Sequence, residues 1–554
     1  MSVAGALGGL SSFLPSSILQ GGLSQVLSWA GLCQVLFAIF IGLAGVVAFC
    51  TVRLLARHVW YTHRLSCFSK PHADSWLLGH LSQMKRGEEG LHHTDKLVQT
   101  YKHSCYWFMG PFYHLVRVFH PDYNKPLLMA PANITVKDEL FYGILRPWLG
   151  RSLLLSNGEE WHRRRRLLTP AFHFDILKNY VAMFNSSTNT LHAKWRRLVE
   201  EGEGNMEMFD HVTLMTLDSL LKCAFSYNSN CQESTSEYAS AIAELHDLII
   251  ERRTKILHHW DWLYWRTRQG QKFKKALSVV NRFTREVVQR RRALISQQRE
   301  TATQSDSTTE PRRRKDFVDI ILLEKDDEGR GLTDEEIQAE ANTFMFAGHD
   351  TTASAICWVL YNLACHTHYQ EQCRQEVMDL MQGRDTEEIE WDDLSSLPFT
   401  TMCIKEALRL HSPVLAVTRK YTQDMKLPGD RTVPKGAICL VSIYGTHRNP
   451  AVWTNPQEFQ PLRFDPANTR GHSSHAFIPF SSGPRNCIGQ KFALAELRVV
   501  VALTLLRFRL TPGINPDLGT APGEVRRLPL LVLRAEGGLW LQLESLTSHT
   551  SRDD

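Results

Sequence analysis

The first 52 residues of this 554-residue chain contain no Asp, Glu, Lys, Arg or His. A Cys-x-x-Cys pair is equally absent: the twelve cysteines are never three apart, which argues against a zinc ribbon or a thioredoxin-like redox site. Twelve in 554 are also too few for a disulfide scaffold, so the default is a reduced, cytosol-facing chain with mostly buried thiols. Net charge is only +5, too mild for a dedicated nucleic-acid binder. No internal repeat occurs, and neither a G-x-G-x-x-G fingerprint nor a Walker loop is present. What is there is 43% apolar and 22% charged, which excludes wholesale disorder and supports a sizeable core. The length allows three to four units of ~150 residues or one large catalytic domain.

Within the uncharged region, residues 29–52 form an apolar run of helical length. At ~1.5 Å per residue it spans about 36 Å, enough to cross a bilayer with some tilt. Residues 53–70 then carry Arg53, Arg57, Arg64 and Lys70 and no acid, which places everything after the helix in the cytosol. A cleaved signal peptide has a shorter apolar core preceded by positive charge, and here the charge lies on the other side. The expectation is a single-pass anchor at about 29–52 in a hydrophobic region 1–52. A basic linker and hinge follow at 53–80, then a catalytic domain at 81–545 and a polar tail at 546–554. A weaker apolar stretch at 11–27 reads as an interfacial segment or a first hairpin arm. The sequons at Asn133 and Asn185 then face the cytosol and stay unmodified.

Beyond the anchor the pattern is mainly α with a small β subdomain, an α+β chain. Apolar residues at three- and four-residue steps predict a helix over 273–297. Residues 301–315 read as an exposed polar loop. Short strands are predicted over 414–444, and a hairpin over 528–544 with Gly537-Gly538 at its turn. The longest helix starts at a capping box, with Thr333 as N-cap and Glu336 at the third helical position, and runs to about Ala364. That is ~31 residues and about 46 Å, the width of a domain. Ala347-Gly348-His349-Asp350-Thr351-Thr352 at its centre suggests a local opening where a ligand approaches the backbone.

The chemistry concentrates in Phe480-Ser-Ser-Gly483-Pro-Arg485-Asn-Cys487-Ile-Gly489. One cysteine lies between glycines, two residues after an arginine, and precedes an apolar helix. Glycines let a loop fold tightly enough to aim backbone N–H groups at sulfur, and a helix N-terminus favours the thiolate. An aromatic ring can pack on a flat cofactor, and an arginine can pair with its carboxylates. For Cys487 alone, a buried thiol in a turn is the better reading; the whole pattern changes that.

This stretch resembles the haem-binding loop of the cytochrome P-450 superfamily, F-x-x-G-x-R-x-C-x-G. Four further hallmarks appear in order. Trp161-x-x-x-Arg165 matches a helix whose two residues meet a haem propionate from one face. Ala347-Gly348-x-Asp350-Thr351 matches the oxygen-activation motif. Glu406-x-x-Arg409 and Phe459-Gln-Pro461-Leu-Arg463-Phe464 match the parts of a Glu–Arg–Arg lock. Pro147-Trp-Leu-Gly-Arg-Ser-Leu-Leu-Leu and Thr343-Phe-Met-Phe-Ala-Gly-His-Asp-Thr-Thr352 are similar to family 4, the fatty-acid omega-hydroxylases. Phe225-Ser-Tyr-Asn-Ser-Asn-Cys-Gln-Glu233 is most similar to subfamily F.

The resemblance implies a cytochrome P-450 fold behind the anchor and assigns roles. Cys487 is the axial thiolate to haem iron. Trp161, Arg165, Arg419 and Arg485 bind propionates, with Phe480 and Gly489 completing the cofactor loop. Asp350 and Thr351 relay protons to bound oxygen. Glu406, Arg409 and Arg463 are structural. In many family-4 members a Glu that esterifies a haem methyl precedes the Gly-His-Asp-Thr-Thr run. Here that position is Ala347, so the haem b is expected to be non-covalent. Partners implied are NADPH-cytochrome P-450 reductase, with cytochrome b5 as a further donor, a lipid substrate and the endoplasmic reticulum membrane. The catalytic domain lies on its cytosolic face, and no nucleic acid is involved.

The implied activity is hydroxylation of long-chain fatty acids or eicosanoids at or near the omega carbon. The alternatives are a haem-thiolate isomerase or dehydratase of lipid peroxides, which the Asp350-Thr351 pair argues against, and a non-catalytic membrane haem-binding protein. Three features read as bystanders or secondary. The Cys/His run at 365–373 is a helix end or solvated surface. His349 is a packed side chain. In the basic run at 163–166, the residues other than Arg165 read as part of a positive face for an acidic electron donor.

Overall fold

The computed structural model describes residues 29–546, apart from 234–235, 305–315, 469–470, 472 and 518–523. The second apolar stretch at 11–27, most of the loop at 301–315 and the tail from 547 lie outside the described residues.

Helix α1 (Trp29–Arg64) extends past the apolar run and takes in the first basic residues. Phe37, Phe40 and Phe49 on it are each about two-thirds exposed, as an anchor requires when lipid is its solvent. One helix among the described residues is long and apolar enough to cross a membrane, and it is this one. Its last turns dock on the folded domain. The Arg57 guanidinium donates to the Phe112 carbonyl at 2.9 Å, the Tyr61 hydroxyl to Lys435 O at 3.1 Å, and Arg64 pairs with Asp424 at 2.5 Å.

That docking surface is a five-stranded sheet of β1 (Ser104–Met109), β2 (Tyr113–Val118), β3 (Thr135–Val136), β4 (Ala416–Tyr421) and β5 (Ile438–Ser442), in the order β1-β2-β5-β4-β3. Only β2–β5 is parallel. The strands expected within 414–444 are present.

The rest is helical. The helices that position the site are α2 (Gly158–Leu168), α3 (Met208–Phe225), α4 (Glu237–Thr254), α5 (Arg268–Gln304), α6 (Asp334–Cys365), α7 (Pro398–Leu410) and α8 (Gln490–Arg507). The pattern over 273–297 belongs to α5, which is longer at both ends. Helix α6 crosses the domain and is buried on nearly all sides, which explains why its sequence shows no polar face. Its N-terminus carries the expected capping box: Glu336 N–H donates to Thr333 Oγ1 at 3.2 Å and Thr333 N–H to Glu336 Oε2 at 2.9 Å. The helix is unbroken through Gly348. That glycine serves close packing, since a Cβ there would stand 2.8 Å from Leu220 Cδ1 on α3.

The C-terminal strands differ from expectation. β6 (Arg527–Pro529) pairs with β7 (Leu533–Ala535), so the hairpin turns at 530–532 and not at Gly537-Gly538. The segment Trp540–Ser545 instead pairs with Phe508–Pro512 and Asn205–Glu207. The physical reason is burial: Leu541 and Leu543 alternate into the core, which only that second sheet allows. Gly537 and Gly538, both at positive φ, redirect the chain between the two sheets.

Candidate haem site

The Cys487 loop is built by turns that only its sequence permits. Cys487 N–H donates to Phe480 O at 3.0 Å and Asn486 N–H to Gly483 O at 3.1 Å. Gly483 has φ +74°, and a Cβ there would meet the Leu128 carbonyl oxygen at 2.1 Å. Gly489, the N-cap of α8, turns its N–H toward the sulfur. Burial pushes the Cys487 thiol above its ordinary pKa, while the Gly489 N–H and Arg165 draw it back. The side chain is enclosed by protein, yet it keeps open surface.

Helix α6 opens on the same place. Between Ala339 and Leu360 every residue is buried except Phe344, Ala347, Gly348 and Thr351. Those four form one stripe at steps of three and four. The Phe344 ring stacks with Phe172 at 5.7 Å, and Phe172 lies 3.8 Å from the Cβ position of Gly489. The stripe and the cysteine loop therefore share an aromatic wall. Thr351 Oγ1 donates to Ala347 O at 2.8 Å, which leaves its lone pairs toward the open stripe.

The cations gather at one edge. Arg165 on α2 donates to Asn486 O and Asn486 Oδ1, each at 3.0 Å, and so ties its helix to the cysteine loop. The Arg485 guanidinium lies 4.5 Å over the buried Trp161 ring and donates to Ser156 O at 3.0 Å, while its Nε has no partner among the described residues. Buried Arg419 on β4 donates one N–H to Thr418 O at 2.9 Å. Lys137, which no motif pointed to, completes the group. Burial lowers its pKa, and Arg419 and Arg485 lower it further. The one opposing carboxylate, Asp138, is already bonded to Thr418 and to Phe141 N–H. A cationic edge with an orphaned, deeply placed Arg485 Nε fits a ligand that brings its own carboxylates. Together with an open thiol and a flat aromatic wall, these residues fit an iron porphyrin.

Glu406, Arg409 and Arg463 assemble as expected on the far side of α7. Arg409 grips Glu406 through two N–H···O bonds of 2.7 and 2.8 Å, and Arg463 Nε adds a third at 3.2 Å. Arg409 also donates to the carbonyls of His447, Pro456 and Glu458, so both charges are buried with their hydrogen bonds made.

Two arrangements were not legible. The Asp350 carboxylate turns away from the stripe, bonds Arg534 on β7, and lies 3.7 Å from His246 Nδ1 on α4. Burial alone would raise this carboxyl, but His246, Arg534 and His349 hold it below the ordinary range. The basic run of α2 is not a free positive face. Arg163 pairs with Asp326 at 2.6 Å, Arg166 with Asp327 at 2.6 Å, and buried Arg164 with Glu336 at 2.8 Å and Glu340 at 2.9 Å. Acids brought in from α6 and the turn before it neutralise the run, which sequence spacing could not reveal. The Cys/His run at 365–373 is a helix junction: Cys365 ends α6, and Cys373 is buried with its sulfur 3.5 Å from that of Cys403. His349 is buried, its Nδ1 against Met345 O.

The cytochrome P-450 family model matches residues 70–523. Cytochrome P-450 4F3 of Homo sapiens is 54% identical over 502 residues, covering 89% of this chain and 94% of the relative. The ultra-long-chain fatty acid omega-hydroxylase of Homo sapiens is 53% identical over 493 residues, 89% of this chain and 91% of the relative. Leukotriene-B4 omega-hydroxylase 3 of Mus musculus is 50% identical over 528 residues, 94% and 98% respectively. With this coverage and identity, the chain belongs to the cytochrome P-450 family and stands among its family-4, subfamily-F members.

Proposed function

We propose that this protein hydroxylates long-chain fatty acids or eicosanoids at or near the omega carbon, anchored by α1 in the endoplasmic reticulum membrane with its catalytic domain in the cytosol. The carrying observation is the open stripe Phe344, Ala347, Gly348 and Thr351 facing the Cys487 loop across Phe172. The names of the relatives, a leukotriene and an ultra-long-chain fatty acid omega-hydroxylase, support the substrate class. The family implies a haem-thiolate cofactor, a reductase partner and a lipid substrate. Cytochrome b5 is the further donor proposed.

Cys487 would hold the haem iron, and Trp161, Arg165, Arg419, Arg485 and Lys137 the propionates. When bound, that group supplies the activation of dioxygen: R–H + O₂ + two electrons + two protons → R–OH + H₂O. The chain's own residues do the rest. Thr351 Oγ1 has its proton engaged on Ala347 O and accepts hydrogen bonds with its lone pairs. Asp350, turned from the stripe toward Arg534 and His246, is the carboxylate assigned to take and return a proton; its Oδ2 makes no hydrogen bond among the described residues and lies 3.7 Å from His246 Nδ1. A terminal methyl C–H is stronger than its methylene neighbours, so attack at the chain end depends on which carbon the walls present. Ala347 offers a methyl group on the stripe and cannot form an ester, so the haem is held without a covalent bond.

Incubation with reductase, NADPH and a fatty-acid panel, followed by mass spectrometry, should give a product bearing one added oxygen at or beside the terminal carbon. No hydroxylated lipid from the panel would refute the substrate class. Acid–solvent extraction should strip all haem from the polypeptide.

A further inference from the structure

Behind the open stripe of α6, four buried polar atoms have no hydrogen-bond partner among the described residues: Asp350 Oδ2, His349 Nε2, His246 Nε2 and the Tyr238 hydroxyl. Each calls for a physical reason. Two of these side chains meet. Arg534 on β7 grips the Asp350 carboxylate at Oδ1, while His246 Nδ1 on α4 faces Oδ2 at 3.7 Å. That separation is longer than a hydrogen bond and short enough for a charge to act on a dipole.

The imidazole is fixed by its neighbours. Its ring centroid stands 5.2 Å from that of Phe346 and 5.9 Å from that of Trp148, and all three side chains are buried. Burial pushes its pKa down to about 4, so the ring is neutral at neutral pH. A neutral imidazole in an apolar slot is a costly way to fill space, because an apolar side chain leaves no nitrogen unsatisfied. The contact that compensates is the one with Asp350: an Nδ1–H directed at Oδ2 favours the ionised carboxylate without adding a second charge. The other ionisable groups around Asp350 are His349 beside it, Cys357 further along α6, and Tyr238 on α4. Burial lowers the pKa of His349 and raises those of Cys357 and Tyr238, so all three stay uncharged. Arg534 is the one cation in this set, and His246 decides what the other carboxylate oxygen meets.

We propose that His246 is a positioning residue for proton delivery: its Nδ1–H steadies Asp350 Oδ2 while Arg534 holds Oδ1, fixing the carboxylate behind Thr351. This rests on the hydroxylase reading above and names the residue that orients its acid. Thr351, next in sequence, lies on the stripe about 100° around the helix. The ionised carboxylate is the form that takes up a proton. Product formed per NADPH should therefore fall as pH drops through the Asp350 pKa, and loss of the imidazole moves that fall upward.

The test follows the carboxyl itself and then turnover, both on the full-length holoprotein. Infrared spectroscopy with isotope-labelled aspartate tracks the titration, the Asp350 band being identified by its loss in Asp350→Asn. His246→Leu fills the slot without a donor and should raise the titration by about one pH unit. His246→Asn places its amide nitrogen where Nδ1 stands and should restore most of the wild-type value. His246→Gln places it at the Nε2 position and should not. Product per NADPH with a long-chain fatty acid should fall by up to about tenfold in the Leu and Gln variants, with more hydrogen peroxide released, and recover in the Asn variant. The carbon-monoxide difference spectrum and fatty-acid binding should be the same in all. An unmoved Asp350 titration in His246→Leu, or equal titrations in the Asn and Gln variants, overturns the contact. A moved titration with unchanged coupling overturns the role in proton delivery. If His246→Leu fails to fold, the Asn–Gln comparison decides. Absence of hydroxylated product from the wild type would strike the function, while the infrared titration still judges the contact.

Discussion

Asp350 shows how much one side chain's partners decide. A buried carboxylate stays ionised here because Arg534 and His246 hold it, against the cost of burial. Arg534→Gln should therefore lower the ratio of hydroxylated product to NADPH consumed and raise hydrogen peroxide release. Arg534→Lys should recover part of the loss, and the carbon-monoxide difference spectrum should be unchanged. A loss of turnover of up to about 10²-fold is the scale for impaired proton delivery. Glu340 illustrates the opposite sign. It is fully buried, and burial pushes its carboxyl up to about 7, outweighing the Leu153 N–H and Arg164 that draw it down. A raised folded-state pKa contributes stability that is complete below the unfolded value and is lost as pH rises through about 7. Glu340→Gln should accordingly flatten the fall in stability between pH 5 and 8, read from denaturant midpoints across that range. Neither partner set was legible. Asp350 meets Arg534 across 184 positions of sequence, and Arg164 meets Glu340 across 176.

At the scale of elements, local rules were legible where they are local. The capping box of α6, the length of that helix and the glycines of the Cys487 loop follow from side-chain chemistry within a few residues. Gly483 is the sharpest case, because positive φ and the Leu128 carbonyl both exclude a side chain. Gly483→Ala should abolish haem incorporation, measured as loss of Soret absorbance in purified protein, whereas Gly429→Ala, also at positive φ but with open space around it, should not. The hairpin at the C-terminus was misread because two Gly residues signal a turn without saying which strands it joins. Pairing was settled by which register buries Leu541 and Leu543. Gly348 lies on the open stripe that its sequence suggested, and it also allows close contact with Leu220 on α3.

For the whole molecule, the N-terminal apolar helix continues unbroken to Arg64, and its last turns dock on the folded domain. Deleting residues 1–52 should sharply reduce co-flotation with phospholipid vesicles. The carbon-monoxide difference spectrum should remain, since Arg57, Tyr61 and Arg64 still dock the remaining turns on the sheet. Unchanged flotation would show that the folded domain alone holds the membrane. By itself the sequence determined the long apolar N-terminal helix, the Gly-rich cysteine loop, the residues of the Glu–Arg–Arg cluster and the mainly helical class. Each of these depends on spacing along one segment or on motifs that meet in a recurrent way. Only the tertiary structure decided that Lys137 joins the cationic edge, that Arg534 and His246 hold Asp350, and that acids silence the basic run of α2. The reason is that charge is compensated in space: whether a buried ion has a partner depends on what other segments bring within a few ångströms, and no local pattern encodes that distance.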